Sequence, residues 1–418
     1  MSTETQTPDE IPSAAPKRKE PTNFTEYVQA WWLRVQAGDL GFLPIIIGLV
    51  IIIVVFGSLD SRYFSERNFT NLLLQMSPFA TIAIGIVFVL LLAEIDLAVA
   101  FNSAVGGVVM TLLLRPDDPG LPWPIAIAVA LAVTTFIGFV MAIIVTKAGV
   151  PSFVVSLAFN LGLSGVVLIL MLEFSTSGTI RIADQTVRDI SNSFLPDLWG
   201  WLLAIAAIVA LAGSEALKYR TRLSQGLPNK PFGILGIQIG GLSLLIIGAV
   251  WYANIDRGVP FVMVVLGFFL LFWSFIANRT RFGRHVYAVG GNPEAARRAG
   301  INVDRIRIMV FMIGGFMAGA GGIVLASRLQ SVATNSGGGD LLLNVIAAAV
   351  IGGTSLFGGS GKVVSALLGA LVIGAVASGM NLQNVNAGVK FVVTGLVLLA
   401  AVLIDAFAKR RQAASGVR

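Results

Sequence analysis

The sequence predicts an all-α protein, a polytopic helix bundle embedded in a lipid bilayer. Apolar residues make up 56% of its 418 residues and charged residues only 12%, whereas soluble domains contain roughly 45–50% and about 25%. The apolar residues also occur in long runs, and a helix needs about 20 of them to cross a bilayer. These two observations predict about twelve spanning helices, with roughly ten to fourteen compatible with the pattern.

The predicted spans are 42–59, 71–92, 95–114, 121–146, 152–172, 196–214, 234–253, 259–277, 308–327, 342–357, 363–380 and 388–407. If these spans alternate from a cytoplasmic N-terminus, most of the 29 Lys and Arg residues fall in cytoplasmic segments, as the positive-inside rule expects. An even number of spans returns the chain to its starting side, so both termini are predicted to be cytoplasmic. The net charge of +7 therefore indicates topology, and no nucleic-acid partner is expected.

The two ends of the chain are predicted to lie outside the bilayer. Residues 1–40 form a polar, proline-containing cytoplasmic tail. Within it, aromatic and Val residues of 23–37 have a spacing that suits a helix on the membrane surface, and an unstructured lead-in is the alternative. The predicted transmembrane domain covers 41–408, and 409–418 form a second cytoplasmic tail.

Several kinds of chemistry are excluded by the residues themselves. The chain has no cysteine and one histidine, His285, which excludes disulfides, thiolate catalysis and histidine-cluster metal sites. The run from Gly358 to Lys362 lacks the early glycine of a phosphate loop and is followed by Val363 in place of Ser or Thr. We therefore expect that this chain is not an enzyme and holds no cofactor. If ATP drives it, ATP and Mg bind to a partner.

Two of the predicted spans are irregular. Segment 93–104 places Glu94 and Asp96 between two apolar runs, and segment 342–362 contains five glycines near its end, namely Gly352, Gly353, Gly358, Gly359 and Gly361. Broken backbone at membrane depth is tolerated only where it is buried in protein or lines a cavity. The glycines are predicted to be structural, and Asp96 to shape a broken helix.

A long basic segment, 278–307, is predicted to be a cytoplasmic loop. Within it, Asn292, Pro293 and Glu294 have the residue types of a helix start, and Gly300 ends a helix of about two turns. Such a helix suits a groove on a partner protein. The alternative is a basic loop that only anchors topology.

This segment also carries a family resemblance. Glu294, Ala295 and Ala296, followed three residues later by Gly300, resemble the E-A-A-x-x-x-G signature of ABC importer permeases. The runs FGRHVYAVGGNPEAARRAGI (282–301), EIDL (94–97), VPSFVVSL (150–157) and GGTSLFGGSG (352–361) resemble the monosaccharide permeases of the ribose, xylose, arabinose and galactose type. An additional helix pair, 196–253, and the run STSGTI (175–180) make the xylose type the better match.

The resemblance implies a division of labour among subunits. Two copies of the permease form the pathway, an ABC ATPase subunit docks on the cytoplasmic face, and a periplasmic sugar-binding protein delivers the sugar. It places the permease in the bacterial inner membrane. The helix from Glu294 to Gly300 would couple the permease to the ATPase, and Arg297 and Arg298 could pair with acidic groups on that partner.

Asp96 and several polar and aromatic residues within the spans are candidates for the substrate pathway. Asn102, Ser103 and Asn160 could hydrogen-bond sugar hydroxyls, although such residues also join helices to one another. Phe101 and Phe153 could stack on a sugar, although most phenylalanines face lipid or other helices. An ion-coupled secondary transporter that uses Asp96 or Glu94 is the alternative function.

Overall fold

The computed structural model describes residues 43–116, 119–227, 229 and 231–414, and positions 25, 26, 29, 32, 33 and 41. Eight helices among these residues are long and apolar enough to cross a membrane, and further apolar helices are shorter. This architecture confirms the predicted all-α membrane bundle. Most of the predicted surface helix, 23–37, lies outside the described residues.

Fifteen α-helices and two strands follow one another along the described chain. The first helices are α1 (Leu43–Leu59), α2 (Glu66–Leu91), α3 (Val99–Leu113), α4 (Trp123–Lys147), α5 (Ser152–Phe174), α6 (Gln185–Asn192), α7 (Asp197–Ser224) and α8 (Phe232–Asp256). The later ones are α9 (Phe261–Arg279), α10 (Arg281–Gly291), α11 (Pro293–Arg298), α12 (Val303–Leu329), α13 (Leu341–Ile351), α14 (Val364–Leu382) and α15 (Ala387–Ala414). The strands are β1 (Thr179–Arg181) and β2 (Ser331–Ala333).

Helices α2 and α12 form the centre of the bundle. They pack against each other, and α3, α4, α13 and α14 pack around them. Both central helices begin at a side-chain cap. At the start of α2, Ser65 accepts from the Asn68 backbone N–H at 3.2 Å, and at the start of α12, Asn302 accepts from the Arg305 backbone N–H at 2.9 Å. A cap replaces a hydrogen bond that the first turn of a helix lacks. The two central helices therefore start at defined residues.

Small residues let α12 approach α4 closely. An added Cβ on Gly315 would collide with the carbonyl oxygen of Thr134, and one on Gly319 with the Thr134 side chain. Glycines spaced four apart permit such contact between membrane helices. The spacing predicts close packing, and the structure places that packing within one chain.

A short antiparallel ladder joins β1 to β2, with Thr179 opposite Ala333. Strands of three residues have little stability of their own, so their pairing depends on the tertiary structure. Nearby, α6 packs against α12 through the Ser191 hydroxyl, which donates to the Val324 carbonyl oxygen at 3.0 Å. Strand β1 and α6 lie between the predicted spans 152–172 and 196–214, and β2 follows α12.

The irregular spans differ from their predicted bounds. Helix α3 begins at Val99 rather than at 95, and α13 ends at Ile351 rather than at 357. In both cases the apolar run in the sequence is longer than the helix, because the backbone leaves the helical conformation while the residues are still apolar. At the end of the chain, α15 continues to Ala414 and so extends into the predicted tail 409–418.

Candidate functional site: a capped helix beside a glycine-rich loop

Helix α11 is short, capped and exposed. Asn292 Oδ1 accepts from the backbone N–H of Ala295 at 2.9 Å, and Pro293 occupies the first turn. Of the residues singled out on it, only Ala296 is buried, at 4% exposed, whereas Glu294, Ala295, Arg297 and Arg298 are exposed. Ala296 thus packs against the bundle, and the four exposed residues are available to a partner.

Gly300 ends this helix in a left-handed conformation. Its φ is +80°, and no atom lies within 4 Å of the position that a Cβ would occupy. The Gly300 N–H donates to the Arg297 carbonyl oxygen, and the Ile301 N–H donates to that of Ala296, each at 3.0 Å. Glycine is required here for its backbone conformation, because L-residues with a side chain are strained at such φ values.

A glycine-rich loop, residues 352–361, packs directly beside the start of α11. The backbone N–H of Gly359 donates to the Leu91 carbonyl oxygen at the end of α2, at 2.9 Å. An added Cβ on Gly358 would lie 2.9 Å from both the Ala93 side chain and the Gly290 carbonyl oxygen. The loop therefore joins the end of α2 to the end of α10, and α11 begins immediately after α10.

The same loop needs glycine at several positions. Four of the five predicted structural glycines have left-handed φ values, namely Gly353 (+97°), Gly358 (+81°), Gly359 (+69°) and Gly361 (+156°). The fifth, Gly352, has an ordinary φ of −63°, but an added Cβ there would collide with the Ser365 carbonyl oxygen. The loop is also tied to α10 by Tyr287, whose hydroxyl donates to the Gly361 carbonyl oxygen at 2.9 Å. Burial raises the pKa of Tyr287, so the hydroxyl keeps the proton that this bond requires.

Asp96 lies in the break between α2 and α3. It is 2% exposed, and its Oδ1 accepts from the Ala98 N–H at 2.9 Å, which closes a turn at the start of α3. Its Oδ2 has no hydrogen-bond partner among the described residues and faces α12 at Gly314, where an added Cβ would lie 3.9 Å away. One oxygen of this carboxylate therefore shapes the backbone, and the other is unpaired.

Contacts from two other helices hold the broken segment. The Ile95 N–H donates to Ser152 Oγ at 3.1 Å, and the Ser156 hydroxyl donates to the Ile95 carbonyl oxygen at 3.2 Å. Glu94 forms an ion pair with Arg307 on α12, with 2.9 Å between Oε1 and Nε. Two serines on α5 thus replace the hydrogen bonds that the helix loses at this residue.

The other pathway candidates are distributed over α3 and α5, which pack against each other. Asn102 and Ser103 are fully buried. Asn102 donates to the Thr134 carbonyl oxygen at 3.3 Å, and Ser103 donates to that of Ala100 at 2.6 Å. The side-chain oxygens of Asn102 and Asn160 are buried without a partner among the described residues. These two acceptors could bind a hydroxyl group.

The two aromatic candidates lie in different surroundings. Phe101 is half-buried and packs against the core, beside the loop that contains Gly337. Phe153 is 51% exposed on α5, where Leu157 and Leu161 are also exposed. Phe153 is therefore on the outer surface of this single chain.

Comparison with known proteins identifies the family. The family described as the permease component of branched-chain amino acid transport systems matches residues 68–402. The chain belongs to this permease family. The matched region begins within α2 and ends within α15, so it contains both α11 and the glycine-rich loop.

Curated relatives of this permease cover most of its length. The xylose transport system permease protein XylH of Escherichia coli K12 is 35% identical over 88% of this chain and 92% of its own. The XylH protein of Haemophilus influenzae is 33% identical over 90% and 99%. The ribose import permease protein RbsC of Escherichia coli K12 is 32% identical over 86% and 92%. No solved structure matches the chain significantly.

These findings confirm the family resemblance and the membrane location. The chain is a permease and a multi-pass protein of the inner membrane. Among the described residues of this permease, no group of three or more His, Asp or Glu side chains is arranged to hold a metal ion.

Some residues of this permease's site were not singled out in the sequence analysis. Ser152, Ser156 and Arg307 hold the broken segment in place, yet none was named as a candidate. The two serines lie within the run 150–157 that carried the family resemblance, four residues apart on one face of a helix. Arg307 had no comparable signal, because it pairs with Glu94 across the fold.

Proposed function

We propose that this permease is the membrane-spanning subunit of an ATP-driven importer that moves a monosaccharide into the cytoplasm. The observation that carries the proposal is the exposed, capped helix α11, which begins where the glycine-rich loop and the end of α2 meet. A partner that moves α11 would act directly on two helices of the core. The curated relatives, which are xylose and ribose permeases, support a sugar as the substrate.

Xylose is the favoured substrate within this proposal. The two xylose relatives are 35% and 33% identical to the chain, and the ribose relative is 32% identical. The buried acceptor oxygens of Asn102 and Asn160 suit the hydroxyl groups of a sugar. The family description names branched-chain amino acids, so leucine is the competing substrate to test.

The proposed topology has twelve spans with both termini in the cytoplasm. The eight long apolar helices are joined by the shorter α1, α3, α13 and the apolar part of α15. Residues 41–408 form the transmembrane domain in this proposal, 1–40 and 409–418 are cytoplasmic tails, 196–253 are an additional helix pair, and 278–307 are the coupling loop. The ends of α2, α10 and the glycine-rich loop meet beside α11, which supports one common cytoplasmic end.

The proposed partners supply the parts that this chain lacks. An ABC ATPase subunit that binds ATP and Mg docks on α11, and a periplasmic binding protein delivers the sugar. Arg297 is exposed and forms an ion pair with Glu294 at 2.5 Å. Exposed pairs of this kind contribute about 0.2–1 kcal/mol, so an acidic group of the ATPase could replace Glu294 at little cost.

A homodimer is proposed for the pathway itself. The face of α5 that carries Phe153 is apolar and exposed in the single chain. If the sugar passes between two copies, that face would line the passage, and Phe153 could stack on the sugar. Asn160 follows on the same helix.

An ion-coupled secondary transporter is the second candidate, and one observation favours it. Asp96 Oδ2 is buried and has no hydrogen-bond partner among the described residues, and unpaired carboxylates within membranes often bind protons or cations. Glu94 is less suited to that role, because it already pairs with Arg307.

Reconstitution distinguishes the two candidates. The chain is purified in mild detergent, co-purifying proteins are identified, and xylose and leucine uptake is measured in vesicles with and without ATP. For the importer we expect an ABC ATPase to co-purify, uptake to need ATP, and Asp96→Asn to retain activity. Uptake by the chain alone, driven by an ion gradient and abolished in Asp96→Asn, would overturn it.

The coupling role of α11 has its own test. Gly300→Arg places a strained, charged residue at the end of α11, and it is expected to release the ATPase and abolish uptake while the protein still inserts into the membrane. Normal uptake at equal expression would exclude α11 as the coupling element.

A further inference from the structure

A cleft of about 530 Å³ opens between α7, α8 and the end of α9. Its lining includes Glu215, Lys218, Tyr219, Arg222, Leu235 and Arg279. Arg279 is the last residue of α9, directly before α10 and α11. The cleft is therefore at the end of the bundle that carries the coupling helix.

The cleft exists because α7 and α8 contact the bundle mainly at the ends that lie away from the cleft, which are the start of α7 and the end of α8. In α7 the buried residues are Gly200 and Ala204, close to its start, and in α8 the buried residue is Ala253, close to its end. There, Thr70 donates to Asp256 at 2.7 Å, and Arg257 donates to Asn71 at 2.9 Å. Towards Ser224 and Phe232 the described part of the pair has no buried residue, so a space separates it from α9.

The lining combines positive charge with apolar surface. Among the described residues, the basic side chains of Lys218, Arg222 and Arg279 line the cleft together with the carboxylate of Glu215, which pairs with Lys218. Leu235 lines the same cleft, and Leu217 is 68% exposed on α7. At this level the residues of α7 change from an apolar run to a basic one that contains Lys218, Arg220 and Arg222, which is the pattern of a helix leaving a bilayer.

We propose that this cleft binds the headgroup of an anionic phospholipid, with its acyl chains along the exposed apolar faces of α7 and α8. Basic pockets between membrane helices at an interface have the charge to hold such headgroups. On α8, Leu242 is exposed and lies two turns beyond Leu235 on the same face of the helix. The lipid fills the space that the protein leaves between the additional helix pair and the bundle.

A lipid fits the cleft better than a soluble anion does. The cleft opens between helices that are apolar enough to span a membrane, so acyl chains can continue directly from it into the hydrocarbon. Tyr219 has an apolar ring and a polar hydroxyl, which suits the boundary between headgroup and acyl chain. The inference depends on the cleft lying at a membrane surface and not on what the permease transports.

The test measures binding of phosphatidylglycerol to the full-length purified protein by native mass spectrometry, with phosphatidylethanolamine as the neutral reference. The variant Lys218→Gln/Arg279→Gln removes two charges from the cleft. The matched control, Arg220→Gln/Arg281→Gln, removes two exposed charges from α7 and α10 that do not line it. We expect the cleft variant to bind phosphatidylglycerol about tenfold or more weakly, and the control to bind like the wild type.

Two further measurements separate the sources of the anion. Leu235→Gln removes an acyl-chain contact, so it should weaken phosphatidylglycerol binding, and millimolar inorganic phosphate should not displace the lipid. The proposal is overturned if phosphatidylethanolamine binds equally well, if both double variants lose the same affinity, or if inorganic phosphate displaces the lipid. Thermal unfolding of each variant checks that the fold is retained. Transport is not measured, so failure here leaves the proposed function standing.

Discussion

Gly359 donates its backbone N–H to the carbonyl oxygen of Leu91 at 2.9 Å, and this bond joins the glycine-rich loop to the end of α2. The last four carbonyl groups of a helix lack partners within that helix. In this permease the loop provides one of those partners. Because Gly290 packs against the same carbonyl oxygen, the end of α2, the loop and α10 form one junction directly before α11.

Two adjacent glycines at this junction should respond differently to alanine. An added Cβ on Gly290 would collide with the Leu91 carbonyl oxygen and lie 2.9 Å from Gly359 N, whereas none of the atoms around Gly291 lies within 4 Å of its added Cβ. We expect Gly290→Ala to lower the thermal stability of the purified protein by several degrees and to reduce uptake. Gly291→Ala is the matched control and should behave like the wild type. Equal behaviour of the two variants would contradict the packing described here.

The end of α11 should depend on backbone conformation rather than on side-chain size. Gly300 has a φ of +80° and open space around it, and asparagine tolerates that conformation better than alanine does. Gly300→Asn should therefore retain more uptake and more bound ATPase than Gly300→Ala, although asparagine is larger. If alanine is the better tolerated substitution, space rather than φ governs the position.

The two serines that hold Ile95 should contribute to stability. Loss of a buried hydrogen bond costs about 0.5–1.5 kcal/mol, so Ser152→Ala/Ser156→Ala should lower the free energy of unfolding by about 1–3 kcal/mol. Ser164→Ala is the control on the same helix, because the Ser164 hydroxyl is exposed and donates to its own helix at Leu161, at 2.7 Å. Denaturant unfolding in detergent measures both. If the control is as unstable as the double variant, the hydrogen bonds from Ser152 and Ser156 to Ile95 do not stabilise the fold.

The Glu94–Arg307 ion pair should be stronger than a more exposed pair on the same helix. Its side chains are 11% and 28% exposed, and the charged atoms are 2.9 Å apart. In the Lys147–Asp304 pair the side chains are 65% and 38% exposed and the separation is 3.4 Å. Double-mutant cycles with Gln and Asn replacements should give a coupling of about 1–3 kcal/mol for the first pair and below about 0.5 kcal/mol for the second. Equal coupling energies would show that burial does not distinguish the pairs.

The segments that were predicted well from the sequence depend on local chemistry. The start of α11 follows from Asn292 and Pro293, and its end from Gly300, because caps and terminators act within a few residues. The long spans follow from hydropathy, since each must match the thickness of a bilayer. The family could also be recognised from the sequence, because its signature is a short run of residues.

The bounds of the irregular helices were predicted less well. Hydropathy continues through Ile95 and Leu97, but α3 begins only at Val99, after the turn that Asp96 closes. In the same way Leu356 and Phe357 extend the apolar run beyond α13, which ends at Ile351. Apolar residues alone do not reveal where a buried backbone leaves the helical conformation.

The sequence by itself determined that the chain is a membrane-embedded helix bundle with a short capped helix in a basic segment. It also placed a break near Asp96 and glycines where the backbone is irregular. Only the tertiary structure decided that these features meet: Gly359 bonds to Leu91, Ser152 and Ser156 hold Ile95, and Arg307 pairs with Glu94. Capping and hydropathy depend on residues that are near neighbours in the chain. Each of these contacts joins residues that are far apart in sequence, and only the packing of the helices brings such residues together.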